Sequence, residues 1–553
     1  MRVTLAGLSS QYIHVTLAPW CLRHAARKAG RPEEITLCEM NINEPAEQLM
    51  RQLMETRPDL LGFSVYIWNR SLTGELIRRI KAAFPGLPIL VGGPEVTWSP
   101  EETFQEMPCD FLLRGAGEES FPLLLSALQG EIPLEQVPGL CRRTSDGVYI
   151  SPEVAPAPPP DPGVYDDAYL AALKGRMAYV ETSRGCPFSC AFCLSGQRDK
   201  VLFLPKEEAL ALLLRVGKSG VSIVKLIDRT FNCDRKRTAY LLTGLMEARK
   251  RGELGQVCYH LEVGADLFDG ELLALLREAP AGLFQLEAGI QSFHGPTLEH
   301  CRRRTDMALL ESNLRALLAP GNIHIHIDLI AGLPEEDLPT FIASFNKAYA
   351  LGPHMLQLGF LKLLYGSALR EEAEANACRF SPDPPYEVLS TRWLSYEDLC
   401  QLKDVEQAIE RLYNSGKFQR TLAWALPRTG LTPYAFYLAM GRRMGESPGK
   451  LSHERLTELL YAYLTQAGLP GEQLRDCLVW DRLATDNTGY LPPLLQRDPA
   501  GVKAAARRYR EQHPEARRAR FALVEDGATL LAADWDDTHP VTRLGQVLTL
   551  KNP

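Results

Sequence analysis

The chain has 553 residues, enough for about three domains of ordinary size. Hydrophobic residues make up 45% of the sequence and charged residues 23%, a balance that excludes disorder as the dominant state. The formal net charge of -7 gives no general attraction to phosphate backbones or anionic membranes, so nucleic acid is not expected as a main partner.

Membrane insertion and secretion are not expected either. No apolar run approaches the ~20 residues of a membrane-spanning helix, and the start, MRVTLAGLSSQYIH, lacks the pattern of a signal peptide. We therefore expect a cytoplasmic protein with no membrane partner. Its 13 cysteines are then not expected in disulfides, and most, being scattered singly, are predicted to be small buried residues.

Residues 1–135 alternate short apolar runs with amphipathic stretches. The pattern predicts strands at Arg2–Gly7, Glu34–Met40, Leu60–Val65, Pro88–Gly92 and Cys109–Leu113. It predicts helices at Leu17–Ala29, Pro45–Thr56, Ser71–Phe84, after Pro100 and at Glu118–Gln129. This alternation over short loops favours parallel pairing, so we predict an α/β, doubly wound domain that binds its ligand at the carboxyl ends of the strands.

Residues 136–170 are predicted to be a linker. The stretch from Ser151 to Asp167 contains six prolines, which lack a backbone donor and favour an extended spacer. The alternative is a strap over the face of a neighbouring domain. In either case the prolines mark a domain boundary.

Residues 171–365 return to the alternation of strands and helices. Strands are predicted at Ala178–Ser183, Ser222–Asp228, Val257–Val263, Leu283–Gly289, Ile323–Ile330 and Met355–Leu361, with helices such as Lys206–Lys218 and Arg235–Arg251 between them. Six strand–helix units are too few for a closed eight-stranded barrel, so we predict an open, partial one. Its chemistry is expected on the loops that follow the strands.

Residues 366–553 are predicted to form an α-rich C-terminal region of unknown role. Helices are predicted at Tyr396–Tyr413, Ser452–Gln466 and Gly501–Gln512, and short strands at Phe521–Val524, Thr529–Ala533 and Gln546–Lys551. The basic residues between Lys503 and Arg520 are interspersed with glutamates, which favours a solvated helix face over an RNA-binding one.

A cysteine motif follows the first strand of the predicted barrel, in YVETSRGCPFSCAFCLSG. Cys186, Cys190 and Cys193 have the spacing C-x3-C-x2-C. Three thiolates on one tight loop can hold three corners of a [4Fe–4S] cluster, and the missing fourth cysteine leaves one iron open to another molecule. Zinc is the competing interpretation, although zinc takes a fourth ligand and is typical of C-x2-C pairs at longer separation.

With Gly185, Pro187 and Phe192 around the cysteines, residues 175–365 resemble the radical S-adenosylmethionine (SAM) enzymes. The resemblance implies a cluster whose open iron chelates SAM, and reductive cleavage of SAM to a 5′-deoxyadenosyl radical. It implies SAM-binding roles for Phe192 in the cysteine loop, Asp228 and Asn232 after the second strand, Glu287 and Gln291 after the fourth, Arg303 before a helix, and Asp328 and Gly332 at the end of the fifth. Taken singly, Glu287 or Asp328 would rather be a helix cap or a salt-bridge partner.

The domain before this barrel resembles the cobalamin-binding domain of the B12-dependent radical SAM enzymes. The similar stretches are GFSVYIWN, LVGGPEVTWSPEE and LLRGAGEESF. They imply a cobalamin site at Ser64, Tyr66, Asn69, Gly92, Gly93, Pro94, Glu95, Gly115 and Gly117. Where that family often has D-x-H-x-x-G, this chain has LSSQYIHVTLA, so we interpret His14 as a packing residue rather than a cobalt ligand.

The resemblance thus implies a cobalamin-dependent radical SAM enzyme. We predict a methyltransferase that acts on an unactivated carbon of a small-molecule or peptide substrate, with an external one-electron reductant of the flavodoxin or ferredoxin type. A second SAM would remethylate the cobalt. One alternative is an oxidoreductase or cyclase whose cobalamin transfers no methyl group, and another is a corrinoid-binding protein with an inactive barrel. A third, an RNA methylthiotransferase, needs three more cluster cysteines, for which Cys21, Cys38 and Cys109 are poorly placed.

Overall fold

The structure, a computed structural model of the chain, describes residues 1–152, 157–196, 200–447, 449, 451–513 and 518–551. It forms two compact units. The first comprises Met1–Phe284, Glu299–Arg304 and Leu361–Leu389, and the second comprises Gln285–Leu298, Thr305–Phe360 and the described part of Ser390–Pro553. Residues 153–156 of the proline-rich stretch and 514–517 of the basic run lie outside the described residues.

Within the described residues, the first unit begins with a seven-stranded sheet. Its strands are β1 (Arg2–Ser9), β2 (Glu34–Asn41), β3 (Leu60–Ser64), β4 (Ile89–Gly92), β5 (Phe111–Leu113), β6 (Leu140–Thr144) and β7 (Gly147–Tyr149). They lie in the order β2-β1-β3-β4-β5-β6-β7, and β1 to β5 pair in parallel. This confirms the predicted doubly wound domain, whose strand order reverses beside β1, where such sheets bind ligands.

Helices pack on both faces of this sheet. They are α1 (Leu17–Lys28), α2 (Ala46–Glu55), α3 (Arg70–Ala83), α4 (Pro94–Thr97), α5 (Pro100–Glu106) and α6 (Gly117–Leu128). Phe63 of β3 belongs to a buried cluster with residues of α2 and α3, whereas its neighbour Leu60 belongs to one with residues of α1 and α6. Burial on both faces explains why β3 is apolar along its length, as parallel strands usually are.

Part of the stretch predicted as a linker forms a hairpin instead. β6 pairs antiparallel with β5, and β7 pairs antiparallel with β6. Leu140 and Cys141 are buried, and Gly147, at φ +131°, allows the turn between the two strands. The sequence pattern misses this hairpin because both strands are short and their outer residues are polar or exposed. Later in the same stretch lies α7 (Asp167–Ala172).

The first unit continues with the beginning of the second strand–helix series. Its strands are β8 (Ala178–Val180), β9 (Ser183–Arg184), β10 (Leu202–Phe203), β11 (Ile223–Leu226) and β12 (Cys258–Val263), and its helices are α8 (Lys206–Gly217), α9 (Arg235–Lys250) and α10 (Gly270–Arg277). β8 and β12 both pair in parallel with β11, whereas β9 and β10 form a small antiparallel pair. This pair closes the base of the cysteine loop.

The series resumes with β13 (Phe284–Gln291), α11 (Gly295–His300), α12 (Met307–Leu318), β14 (His324–Ala331), α13 (Leu338–Ala350) and β15 (Met355–Phe360). β13, β14 and β15 pair in parallel in the second unit. All six predicted strands of the series are therefore present. The fourth runs two residues beyond its predicted end, so Glu287 and Gln291 lie within β13 rather than after it.

After β15, the chain contributes α14 (Ala368–Glu371), β16 (Arg379–Phe380) and β17 (Val388–Ser390). The remainder is α-rich, as predicted: α15 (Tyr396–Ile409), α16 (Gln419–Thr429), α17 (Pro433–Gly445), α18 (His453–Gln466), α19 (Gly471–Thr485) and α20 (Pro499–Gln512), then the antiparallel strands β18 (Arg520–Val524), β19 (Thr529–Thr538) and β20 (Gly545–Lys551). The sequence pattern misses three helices of this region: α16, which contains Pro427, α17, which begins at Pro433, and α19, which buries Arg475 and Asp481. Every helix among the described residues is too short or too polar to cross a membrane.

Candidate active site

The cysteine loop is fixed at its base by backbone geometry. The antiparallel pairing of Ser183 with Phe203 and of Arg184 with Leu202 joins its two ends. Gly185 follows with φ +99°, and a Cβ atom there would lie 2.5 Å from the carbonyl oxygen of Lys200. Only glycine fits this position without displacing the backbone, so Gly185 allows the start of the loop to pack against Lys200.

Each of the three cysteines in this loop makes a polar contact. Cys186 Sγ lies 3.3 Å from Thr230 Oγ1, Cys193 N donates to Cys190 O at 3.0 Å, and Arg303 Nη1 donates to the buried Cys190 Sγ at 3.7 Å. Burial raises the pKa of Cys190, the charges of the other two thiols raise it further, and Arg303 opposes both effects. A set of three soft sulfur donors beside a cation fits a [4Fe–4S] cluster.

Asp228 and Asn232, predicted to bind SAM, are bonded to the chain itself. The Asp228 carboxylate accepts hydrogen bonds from Thr182 N at 2.7 Å, Thr182 Oγ1 at 2.6 Å and Ser183 Oγ at 2.7 Å, and burial raises its pKa. The side chain of Asn232 exchanges two hydrogen bonds with the backbone of Gly264. These contacts make both residues anchors of the loops beside the cysteines, and a direct contact with SAM stays a prediction.

Four other residues predicted to bind SAM lie in the second unit. His326 of β14 lies between two of them, with Nδ1 3.9 Å from Glu287 Oε2 and Nε2 2.9 Å from Asp328 Oδ1. Gln291 has φ +72° at an irregularity in β13, and Gly332, at φ +91°, follows the end of β14. The structure thus brings Glu287 and Asp328 together around one histidine.

A cavity of about 620 Å3 lies within the first unit. Seven of the nine residues predicted to bind cobalamin line it: Ser64, Tyr66, Gly92, Gly93, Pro94, Gly115 and Gly117. Phe192 and Cys193 of the cysteine loop line the same cavity. Ala157 lines it as well, so the described end of the proline-rich stretch forms part of its wall, as the strap alternative expects.

Four glycines line this cavity with backbone alone and are here called the glycine edge: Gly92, Gly93, Gly115 and Gly117. At Gly93, φ is +117° and a Cβ atom would lie 2.4 Å from Val65 O. At Gly117, a Cβ atom would lie 2.8 Å from Leu22 Cδ2. Both glycines are thus required by close packing against Val65 and Leu22, and both also line the cavity, where backbone without side chains can form a wall against the face of a corrin ring.

Two residues predicted to bind cobalamin do not line the cavity. Asn69 is buried, donates to Leu8 O and Ser64 O at 3.0 Å each, and accepts from Tyr66 N at 2.8 Å. Glu95 is buried and accepts a hydrogen bond from Tyr386 Oη at 2.6 Å. The polar atoms of both residues hold neighbouring segments of the chain, and a direct contact with cobalamin stays a prediction.

His14 also lies outside the cavity wall. Its Nδ1 is 2.6 Å from the hydroxyl of Tyr179, and burial is the main cause that lowers its pKa. The structure therefore agrees with the interpretation of His14 as a packing residue.

The sequence pattern missed a pair of salt bridges on the cavity wall, here called the bridge, in which Arg184 contacts Glu118 and Glu181. Arg184 Nη2 donates to Glu118 Oε1 of α6 at 2.9 Å and to Glu181 Oε2 at 2.7 Å, and all three residues line the cavity. The only signals are the SRGC and GEES stretches, in which nothing marks Arg184 and Glu118 as partners. The bridge connects the first sheet's helix α6 to the start of the cysteine loop.

Three family models match the chain in succession. A B12 binding domain matches residues 3–125, the radical SAM superfamily matches 180–348, and a protein of unknown function (DUF4080) matches 375–525. The chain therefore combines a B12-binding domain with a radical SAM domain, as expected for a cobalamin-dependent radical SAM enzyme, and continues into a C-terminal region of unknown function. Cobalamin, SAM and a [4Fe–4S] cluster are the cofactors that these domains take.

Relatives of this chain include methyltransferases and cyclases. The cobalamin-dependent radical SAM methyltransferase TokK of Streptomyces tokunonensis is 27% identical over 339 residues, which are 57% of this chain and 49% of TokK. The anaerobic magnesium-protoporphyrin IX monomethyl ester cyclase of Rubrivivax gelatinosus is 26% identical over 351 residues, 59% of this chain and 61% of the cyclase. The chain thus matches about half of the first protein and about three fifths of the second.

A solved structure supports the fold. The cobalamin-dependent SAM radical enzyme OxsB, with aqua-cobalamin and SAM bound, superposes with a TM-score of 0.61 at 17% sequence identity. The match covers 87% of this chain and 78% of OxsB. At this identity the likeness establishes a common fold, and it carries no information on the substrate.

Proposed function

We propose that this chain is a methyltransferase that methylates an unactivated carbon of a small molecule or peptide. The proposal rests on one observation: both predicted binding regions line the same cavity. Its wall combines the glycine edge of the first sheet with Phe192 and Cys193 of the cysteine loop. An enzyme that joins corrinoid to SAM chemistry needs these two regions on one enclosed space.

The cysteine loop would hold the cluster through Cys186, Cys190 and Cys193. Because β9 and β10 join the ends of the loop, the thiols approach a cluster with little loss of backbone freedom. Arg303 favours the thiolate form of Cys190 through its charge and its hydrogen bond. This contact gives Arg303 a role at the cluster, whereas the family resemblance assigns it to the methionyl carboxylate of SAM.

The cavity would hold cobalamin and SAM. When bound, the cofactors supply the radical that removes a hydrogen atom from the substrate and the methyl group that replaces it. The chain fixes their positions: Gly92, Gly93 and Gly115 offer backbone to a corrin ring, and Phe192 offers an aromatic face to adenine. The SAM-binding roles of Glu287, Gln291, Asp328 and Gly332 remain proposals that rest on the family resemblance.

A radical cyclase or oxidoreductase is the second candidate, because curated relatives include a cyclase. An RNA methylthiotransferase fits less well. Burial raises the pKa of Cys21 and Cys38, and raises that of Cys109 to about 12. Protonated thiols on three separate segments of the chain are poor ligands for a second cluster. A corrinoid-binding protein without activity is disfavoured by the complete cysteine motif.

One experiment separates the two main candidates without the natural substrate. The full chain, loaded anaerobically with iron, sulfide and cobalamin, is reduced in the presence of SAM labelled on its methyl group. A methyltransferase is expected to transfer the label to the corrinoid and to release S-adenosylhomocysteine, besides forming 5′-deoxyadenosine. Formation of 5′-deoxyadenosine with no transfer of label would favour the second candidate and overturn the first.

The proposal also includes a cytoplasmic location and an external one-electron reductant of the flavodoxin or ferredoxin type. We further propose the functional divisions 1–135, 136–170, 171–365 and 366–553, although the hairpin β6–β7 adds part of the second range to the first sheet.

A further inference from the structure

The segment from Gly92 to Trp98 forms part of the cavity wall. It comprises the last residue of β4 and the short helix α4, and it is here called the cavity loop. Gly92, Gly93, Pro94, Thr97 and Trp98 line the cavity, whereas Glu95 does not and has only 7% of its surface exposed. The position of a wall segment sets the space that a ligand can occupy. The side chains that contact Glu95 therefore help to set the position of the cavity loop and the shape of the cavity.

Two buried side chains contact the Glu95 carboxylate, and Ser99 Oγ also donates to Glu95 O at 3.1 Å. Tyr386 Oη donates to Glu95 Oε1 at 2.6 Å. Arg70 Nη1 donates to Glu95 O at 3.1 Å and lies 3.5 Å from Glu95 Oε1. Arg70 is itself fixed, since its Nη2 donates to Glu106 Oε2 at 2.9 Å. Burial raises the pKa of Glu95, and both partners oppose that rise by favouring the carboxylate.

Tyr386 is itself fixed by burial, by a backbone hydrogen bond and by a ring contact. It is 2% exposed, its carbonyl oxygen accepts from Leu363 N at 3.0 Å, and its ring meets that of Tyr365 edge to face at 5.3 Å. A second contact joins the same segment to the cavity loop: a Cβ atom on Gly366 would lie 2.5 Å from Trp98 Cγ. Residues 361–389 therefore support both Glu95 and Trp98.

We propose that Tyr386 is a positioning residue of the cobalamin site, which fixes the cavity loop through Glu95. The inference rests on the proposed function, because it concerns the cavity assigned there to cobalamin. Tyr386 lies 291 residues from Glu95 in the sequence and within the DUF4080 match. The proposal thereby gives the beginning of that uncharacterised region a task, which is to complete a binding site built by the first domain.

The test is the affinity of the cluster-loaded full chain for hydroxocobalamin, measured by absorbance titration. Tyr386→Phe is expected to bind about fivefold more weakly, because a buried carboxylate loses one donor. Tyr259→Phe is the matched control: its buried hydroxyl donates to Leu213 O at 3.0 Å, and Tyr259 does not line the cavity. Its affinity should equal that of the wild type, and SAM affinity and cluster content should be unchanged in both variants.

Glu95→Gln provides a second test should Tyr386→Phe fold poorly, because it alters the same contact from the other side. It too is expected to weaken binding, and the double variant should be less affected than the two separate losses combined. Wild-type affinity in Glu95→Gln, or equal affinities in the two tyrosine variants, would overturn this inference alone. A wild-type chain that binds no cobalamin would overturn the proposed function, and this inference with it.

Discussion

The cysteine loop and the glycine edge of the first sheet line one cavity, but they form their binding sites in opposite ways. In the cysteine loop, three side chains at fixed spacing supply the donor atoms. At the glycine edge, side chains are absent and the backbone itself forms the wall, as at Gly93. One site is therefore defined by side-chain atoms that must be present, and the other by side chains that must be absent.

Cys190→Ala tests the first half of this comparison and should have the largest effect. Loss of one of three thiolates is expected to abolish the cluster's visible absorbance and all formation of 5′-deoxyadenosine, while cobalamin affinity stays close to that of the wild type. Cys109→Ala, which removes a buried thiol outside the loop, is the control and should retain the cluster. Cleavage of SAM by Cys190→Ala would contradict the assignment of the ligands.

Gly93→Ala tests the second half. The added Cβ would lie 2.4 Å from Val65 O at a φ of +117°, so the backbone must shift. We expect at least about tenfold weaker binding of cobalamin with full cluster content, measured by titration and by iron analysis. Gly86→Ala, on an exposed loop with nothing within 4 Å of its Cβ, should bind like the wild type. Equal affinity of the two variants would show that cobalamin binding does not require glycine at position 93.

Asp228→Asn examines the support beneath the cysteine loop. The carboxylate accepts three hydrogen bonds from Thr182 and Ser183, and an amide cannot accept them all with the same geometry. We expect a loss of about 1–3 kcal/mol in the free energy of unfolding, measured in denaturant, and a lower cluster content. Asp269→Asn is the control, because Asn caps helices as well as Asp does. Unchanged stability would remove Asp228 from the supports of the loop.

Glu118→Gln should have the smallest effect and concerns the connection between the two regions. Arg184 would keep Glu181 and lose one of its two carboxylate partners, at a site where the side chains are about one quarter exposed. We expect cobalamin affinity to fall by no more than about threefold, in line with a partly exposed ion pair. Glu119→Gln, at the exposed neighbouring residue, should leave cobalamin affinity unchanged. An equal loss of affinity in both variants would argue against a role for the Arg184–Glu118 ion pair.

The two regions also differ in how far their sequence reveals them. The spacing of Cys186, Cys190 and Cys193 identifies the cysteine loop because chemistry restricts the ligands to one residue type. At the first sheet, the strand ends are predictable from apolar runs, and seven of the nine residues predicted for the cobalamin site line the cavity. Asn69 and Glu95 do not, since a sequence pattern locates a loop and leaves the direction of its side chains undetermined.

Contacts between distant segments are the part that no local pattern contains. The bridge from Arg184 to Glu118 and the bond from Tyr386 to Glu95 each join residues far apart in the chain. The hairpin β6–β7 and the helix α19 were missed for a different reason. Their apolar residues are too few or too mixed with buried charges to produce a clear period.

The return of residues 361–389 to the first unit has a consequence for biosynthesis. Leu364 contributes to the cavity wall, yet it is translated only after all six strands of the second series. A nascent chain that ends before Leu361 carries the first sheet and the cysteine loop but lacks Leu364, a part of the cavity wall. If the cavity holds cobalamin as proposed, full affinity is therefore expected only after this segment has been translated.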